Sequence, residues 1–228
     1  MREASSVAER GWLCMIEGMQ ATASSSQIIG HLRQQGFTLL VILLVLWGAE
    51  ITDFLLRVFT SIEMDRWGIR PLQAAGLPGI LAAPLLHVGF PHLAANTLPL
   101  LVLASLVLLE GLSRYLKATF IIMIVGGLAV WCFGKQDSVY LGASGLVFGY
   151  MGFVFMRAWV SRRLLWIAIA IACAVFYGSL ALSLFSLKEG VSWLGHVAGF
   201  VSGMLAAEWL HTEKRSALVR ALKGNEWK

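Results

Sequence analysis

Charge is scarce in this chain of 228 residues: Asp, Glu, Lys and Arg together make up 14%, against about 25% in an ordinary soluble domain. So few charges cannot furnish a water-facing surface, which excludes a soluble globular protein. The same composition excludes a disordered chain and a collagen-like repeat. The three cysteines, Cys14, Cys132 and Cys173, are too few and too scattered for a disulfide framework, and no CxxC pair suggests a metal. No internal repeat is visible, which weakens a transporter built from duplicated halves. The net charge of +5 is modest and one-sided, so nucleic acid is not an expected partner. What fills the chain instead is apolar: 58% of its residues are hydrophobic, and the mean hydropathy is +0.75. Its solvent is the lipid bilayer.

A membrane span needs about 20 mostly apolar residues. Six stretches qualify: Phe37–Phe59, Leu93–Leu112, Leu116–Phe133, Ser144–Val160, Leu164–Phe185 and Ser192–Leu210. The first is the least clean, because Glu50 and Asp53 interrupt it near one end. The expected fold is an all-α polytopic bundle of six transmembrane helices over residues 37–210, with an N-terminal segment 1–36 and a tail 211–228. Six spans put both termini on one side. Five of the 18 basic residues fall on the opposite side (Arg57, Arg66, Arg70, Lys135 and Lys188), and the other 13 share the side of the termini. The positive-inside rule places that side in the cytoplasm.

The N-terminal segment reads as no signal peptide, because Glu17 follows the short apolar run Trp12–Ile16 directly. Ala21–Gln27 reads as a flexible lead-in, and Thr212–Lys228 as a short amphipathic helix at the membrane surface. The first loop, Ser61–Pro91, is long, and its second half is rich in Ala, Leu, Gly and Pro. It is expected to lie in the outer interface or fold over the other helices.

Polar chemistry recurs at one depth. Spans two, four and six run from outside to inside, and each carries a charged residue near its inner end. Asn96 precedes Glu110 by 14 residues, Ser144 precedes Arg157 by 13, and His196 precedes Glu208 by 12. At about 1.5 Å per residue these are rises of roughly 21, 20 and 18 Å. In a hydrocarbon core about 30 Å thick, all three side chains sit some 10 Å below the outer boundary. His92 lies one turn above Asn96, and His87 just precedes that helix. Polar groups at such depth mark a site or a hydrated cavity. Singly, a serine bonding back to its own helix or a histidine tethering two helices is the plainer reading; together at one level they point to a site.

Glycine spacing adds a packing argument. Gly145, Gly149 and Gly152 form a stripe on span four, and Gly199 and Gly203 share a stripe on span six with His196. Small residues at such spacing let helix backbones approach in membranes. If the stripes face each other, Ser144 and His196 come within hydrogen-bond reach, nucleophile beside base.

These residues resemble the rhomboid family of intramembrane serine proteases. The resemblance rests on Gly142-Ala143-Ser144-Gly145 (GxSG), on His196 to Gly203 (HxxGxxxG), on His87, His92 and Asn96 at the start of span two, and on their order along a six-helix chain. It covers roughly residues 37–210. It implies that Ser144 is the nucleophile and His196 the general base, with His92, Asn96 and the Ser144 N–H as oxyanion donors. Phe148 takes the place of the aromatic that packs on the histidine, often Tyr in the family, and Gly142 lets its loop approach the substrate carbonyl. The implied activity is cleavage of transmembrane segments near their outer ends, in the inner membrane of a bacterium, without metal or cofactor.

The first loop departs from the family: Trp67 and Arg70 are separated where many members have adjacent Trp-Arg, and no arginine precedes His87. A soluble-hydrolase G-x-S-x-G elbow is absent, because Leu146 stands at the final glycine. Two other classes stay open. A proteolytically inactive relative would bind membrane proteins without serine reactivity, and a small transporter would show flux in proteoliposomes. A metal held by His87, His92 and His196 would lack an accompanying Cys or carboxylate at that depth.

Overall fold

The computed structural model describes residues 2–178 and 192–225, with side chains for 27–178 and 192–213. Residues 1–40 and 41–228 form two compact units. The first unit is helical from Arg2 onward, within a helix, α1, that runs Arg2–Phe59. Ala21–Gln27, expected as a flexible lead-in, is therefore helical; neither Gly nor Pro interrupts residues 19–29, and Ala and Gln favour helix.

The second unit adds α2 (Phe90–Leu108), α3 (Leu112–Phe133), α4 (Ser144–Ser161), α5 (Leu164–Phe176) and α6 (Trp193–Asn225). No β-strand occurs among the described residues. Helix α2 begins after Gly89, at φ +84°, with Pro91 in its first turn, where a missing N–H is harmless. It ends at Leu108, so Glu110 lies beyond it rather than within a span reaching Leu112. Helix α3 contains a π-helical turn, Ile122–Gly126. Helix α6 continues to Asn225, so the tail extends the last helix instead of forming a separate one. The end of the expected fifth span, from residue 179, lies outside the described residues.

Three helical stretches are long and apolar enough to cross a bilayer: Gln27–Phe59, Phe90–Leu108 and Leu112–Phe133. Helix α4 has 18 residues but carries three glycines, Tyr150 and Arg157. Its surroundings explain that composition. Every residue from Val147 to Val154 is buried, so α4 faces protein more than lipid and has less need of an apolar exterior.

Backbone proximity is what encloses α4. A Cβ on Gly199 would collide with the carbonyl oxygen of Gly145 and lie 3.0 Å from its carbonyl carbon. One on Gly203 would collide with the Gly149 carbonyl, and one on Gly152 with that of Phe200. The glycine stripes of α4 and α6 therefore lie in direct backbone contact. Without a hydrophobic force between helices in lipid, this van der Waals contact is a main source of association.

The first loop is folded onto the bundle. Ile80 and Ala83 pack with Val130 of α3 and Ala198 of α6, and Ile69 forms an isolated antiparallel bridge with Tyr140. Trp131 braces the same loop: its indole N–H donates to the Gln73 carbonyl at 2.8 Å, and its carbonyl accepts from the Leu72 N–H. Glu50 and Asp53, which interrupt the first apolar run, are each 3% exposed. The Asp53 carboxylate accepts from the Met64 N–H at 2.7 Å and pairs with Arg57, which also reaches Asp65 at 3.0 Å. These charges thus anchor the start of the loop. Beyond the far end of α2, Glu110 pairs with Arg114 and with buried Arg157 of α4, 2.9 Å away, and Arg157 lies over the Trp166 ring.

Candidate active site

Ser144 is the first residue of α4, after Ala143. The first N–H groups of a helix have no acceptor within it, and the helix dipole makes that end electropositive. A hydroxyl placed there sits beside ready hydrogen-bond donors. The approach to Ser144 requires Gly142, whose φ of +112° is a conformation that other L-residues rarely adopt.

Two bonds from the first loop hold this approach. The Gly142 N–H donates to the Ala83 carbonyl at 2.8 Å, and the Ala143 N–H donates to Nε2 of His87 at 3.2 Å. His87 is 1% exposed, and its ring meets that of His92 edge-on at 5.3 Å. Burial first, and the neighbouring His92 second, push the His87 pKa down to about 4 against a weaker pull from the Leu85 carbonyl. His87 is therefore neutral at physiological pH, with Nε2 free to accept.

Ser144, His196, His92, Asn96 and Phe148 all line one open cavity of about 1010 Å³. Ser144 comes from the head of α4, His92 and Asn96 from the first two turns of α2, and His196 from the first turn of α6. The His196 ring stacks on Phe148, with centroids 4.2 Å apart and planes inclined by 29°. The Gly145–Gly199 contact lies immediately below, joining the residue after Ser144 to the turn after His196. Asn96 bonds back through its amide to the His92 carbonyl at 3.2 Å. Pro99 also lines the cavity, and without an N–H it cannot make the helical bond to the Ala95 carbonyl.

Not every residue singled out in the sequence reaches this cavity. His87 sits behind the Gly142–Ser144 turn, and Gly149 and Gly203 lie one turn deeper, in the helix contact. Gly142, Gly145 and Gly199 line a second, apolar cleft of about 70 Å³, which also reaches Ser144. A Cβ on Gly142 would lie 3.0 Å from Cε1 of His92 and 4.0 Å from Ser144 Oγ, so these three share one corner. One contributor carries no sequence signal: the Ala83 carbonyl, which holds the Gly142 N–H. Lys135 is a further addition on the cavity lining, and its place at the polar end of an apolar run was its only mark.

Among the described residues, no group of three His, Cys, Asp or Glu side chains is placed to hold a metal ion. The arrangement offers a hydroxyl at a helix N-terminus, an imidazole held by an aromatic ring, and side-chain donors around one space. That is the equipment of nucleophilic acyl transfer.

Comparison with known proteins agrees with this chemistry at the level of family. The rhomboid domain profile matches residues 75–213. An uncharacterized protein of Mycobacterium tuberculosis is 41% identical over 196 residues, 82% of this chain and 79% of that protein. An uncharacterized protein of Mycobacterium leprae is 38% identical over the same share of this chain and 75% of its own. The rhomboid protease GluP of Bacillus subtilis is 29% identical over 144 residues, 63% of this chain and 28% of that protein. With the domain matched over more than half its length, this helical membrane protein belongs to the rhomboid family.

Proposed function

We propose that the protein is an intramembrane serine endopeptidase that cleaves transmembrane segments of other membrane proteins near their outer ends. One observation carries the reading: in a rhomboid-family chain, a single open cavity collects Ser144, His196, His92 and Asn96 from three helices. The reading includes six spans, both termini in the cytoplasm and residence in a bacterial inner membrane.

In this mechanism His196 takes the Ser144 proton as the hydroxyl oxygen attacks the scissile carbonyl. The oxyanion receives hydrogen bonds from the Ser144 N–H, Asn96 and His92. Collapse of the tetrahedral intermediate breaks the C–N bond, and His196 delivers its proton to the leaving amine. Water, deprotonated by His196, then hydrolyses the acyl-enzyme. Phe148 keeps the imidazole in place. A peptide bond inside a helix is shielded, so the substrate unwinds locally, and helix-weakening Gly, Pro or small residues near the cut favour it.

The test is incubation of the purified protein with single-span substrates in liposomes, alongside Ser144→Ala and His196→Ala. Loss of cleavage in both variants, with loss of fluorophosphonate labelling in Ser144→Ala, is the expected result. Undiminished cleavage by either variant rejects the assignment.

A further inference from the structure

The cavity that holds Ser144 has one formally charged residue on its described lining, Lys135, and no carboxylate. Lys135 follows the end of α3, at Phe133, and is exposed. It lies at the opposite end of α3 from Lys117, which pairs with Glu213 of α6 at 2.8 Å. None of the ion pairs among the described residues includes Lys135. Its own backbone is held: the Lys135 N–H donates to the Tyr140 hydroxyl at 2.8 Å, and Tyr140 is bridged to Ile69. Lys135 thus stands, exposed and on a braced loop, at the edge of a cavity whose walls are mostly apolar. Such walls focus the field of a single charge.

Resting on the protease reading above, we infer that Lys135 is a specificity-determining residue: it selects substrates with an acidic side chain flanking the scissile bond on the side of the cavity mouth. A carboxylate entering there meets an ammonium that has no ion-pair partner among the described residues, and no competing anion on the described lining. A substrate lysine at the same place meets repulsion.

The experiment compares matched single-span substrates carrying Asp, Asn or Lys at successive positions flanking the cut. Cleavage by wild type, Lys135→Gln, Lys135→Arg and Lys135→Glu is read as the Asp-to-Lys ratio of kcat/KM within each enzyme. For wild type the ratio reaches about fivefold or more at one or two positions and shrinks with added salt. Lys135→Arg retains it, Lys135→Gln brings it near one, and Lys135→Glu inverts it. A ratio that is the same in wild type and Lys135→Glu overturns the inference while leaving the protease reading intact. Binding of the same labelled substrates to Ser144→Ala and to Ser144→Ala/Lys135→Glu separates the two ideas further. If wild type cleaves no substrate, the protease reading fails first. The Lys135 inference then fails with it.

Discussion

The ring of Phe148 lies against the imidazole of His196, with 4.2 Å between centroids and 29° between planes. Phe148 is fully buried on α4, one turn below Ser144, and His196 lies in the first turn of α6. The pair therefore sets the orientation of the histidine from the helix that carries the serine.

Phe148→Ala removes this support. Aromatic contact of this kind contributes about 0.5–1.5 kcal/mol beyond area burial, and a freed imidazole spends less time aligned. The expected result is a fall in kcat of about tenfold or more, with KM little changed. Phe148→Tyr keeps the stack and is expected to retain activity within about threefold. Steady-state kinetics on both variants, with thermal unfolding as a control for folding, checks this.

The glycine contact makes an asymmetric prediction. A Cβ on Gly199 runs into the Gly145 carbonyl, which is backbone and cannot turn aside, whereas a Cβ on Gly145 finds its nearest neighbour, the Gly195 carbonyl oxygen, at 3.9 Å. Gly199→Ala is expected to destabilise the protein by about 1–3 kcal/mol through overpacking and to abolish cleavage. Gly145→Ala is expected to fold like wild type. Thermal unfolding in detergent measures both, and equal losses would contradict the packing described.

His87 gives a pH dependence. Its pKa in the folded protein is about 4, against about 6.5 in an unfolded chain. Above pH 6.5 both states are neutral and His87 contributes no slope. Between pH 6.5 and 4 the unfolded chain takes up a proton that the native protein refuses, so stability falls as pH falls. The loss levels off below about pH 4, at a magnitude on the order of 3 kcal/mol. His87→Gln keeps an acceptor without titrating. The difference in unfolding temperature between wild type and His87→Gln is therefore expected to change over that interval and to stay constant above it.

Asn96 offers an amide at the cavity wall. As an oxyanion donor its loss is worth roughly 10²–10³ in rate. Asn96→Ala is expected to lower kcat by up to that factor while Ser144 still reacts with a fluorophosphonate. Ser144→Ala eliminates both. Labelling and cleavage measured on the same preparations distinguish the two roles.

The membrane class and the family were legible in the sequence. The signals are strong because lipid tolerates few polar groups, so Ser144, His196 and Asn96 stand out against apolar runs. Backbone geometry was not legible. The bond from Gly142 to Ala83, the bond from Ala143 to His87 and the brace from Trp131 to the first loop join loops through main-chain atoms. Any residue type supplies such atoms, so no pattern announces them.

Chain composition by itself determined that this protein lives in a bilayer, since too few charges remain to face water, and the GxSG and HxxGxxxG spacings determined its family. The tertiary structure alone decided that the first loop folds back to hold the turn before Ser144, and that α4 is enclosed with its glycines against α6. It also brought Lys135 to the edge of the cavity. The physical reason is that solvent preference acts on each residue where it stands in the chain, whereas backbone contacts and cavities exist only once distant segments have met.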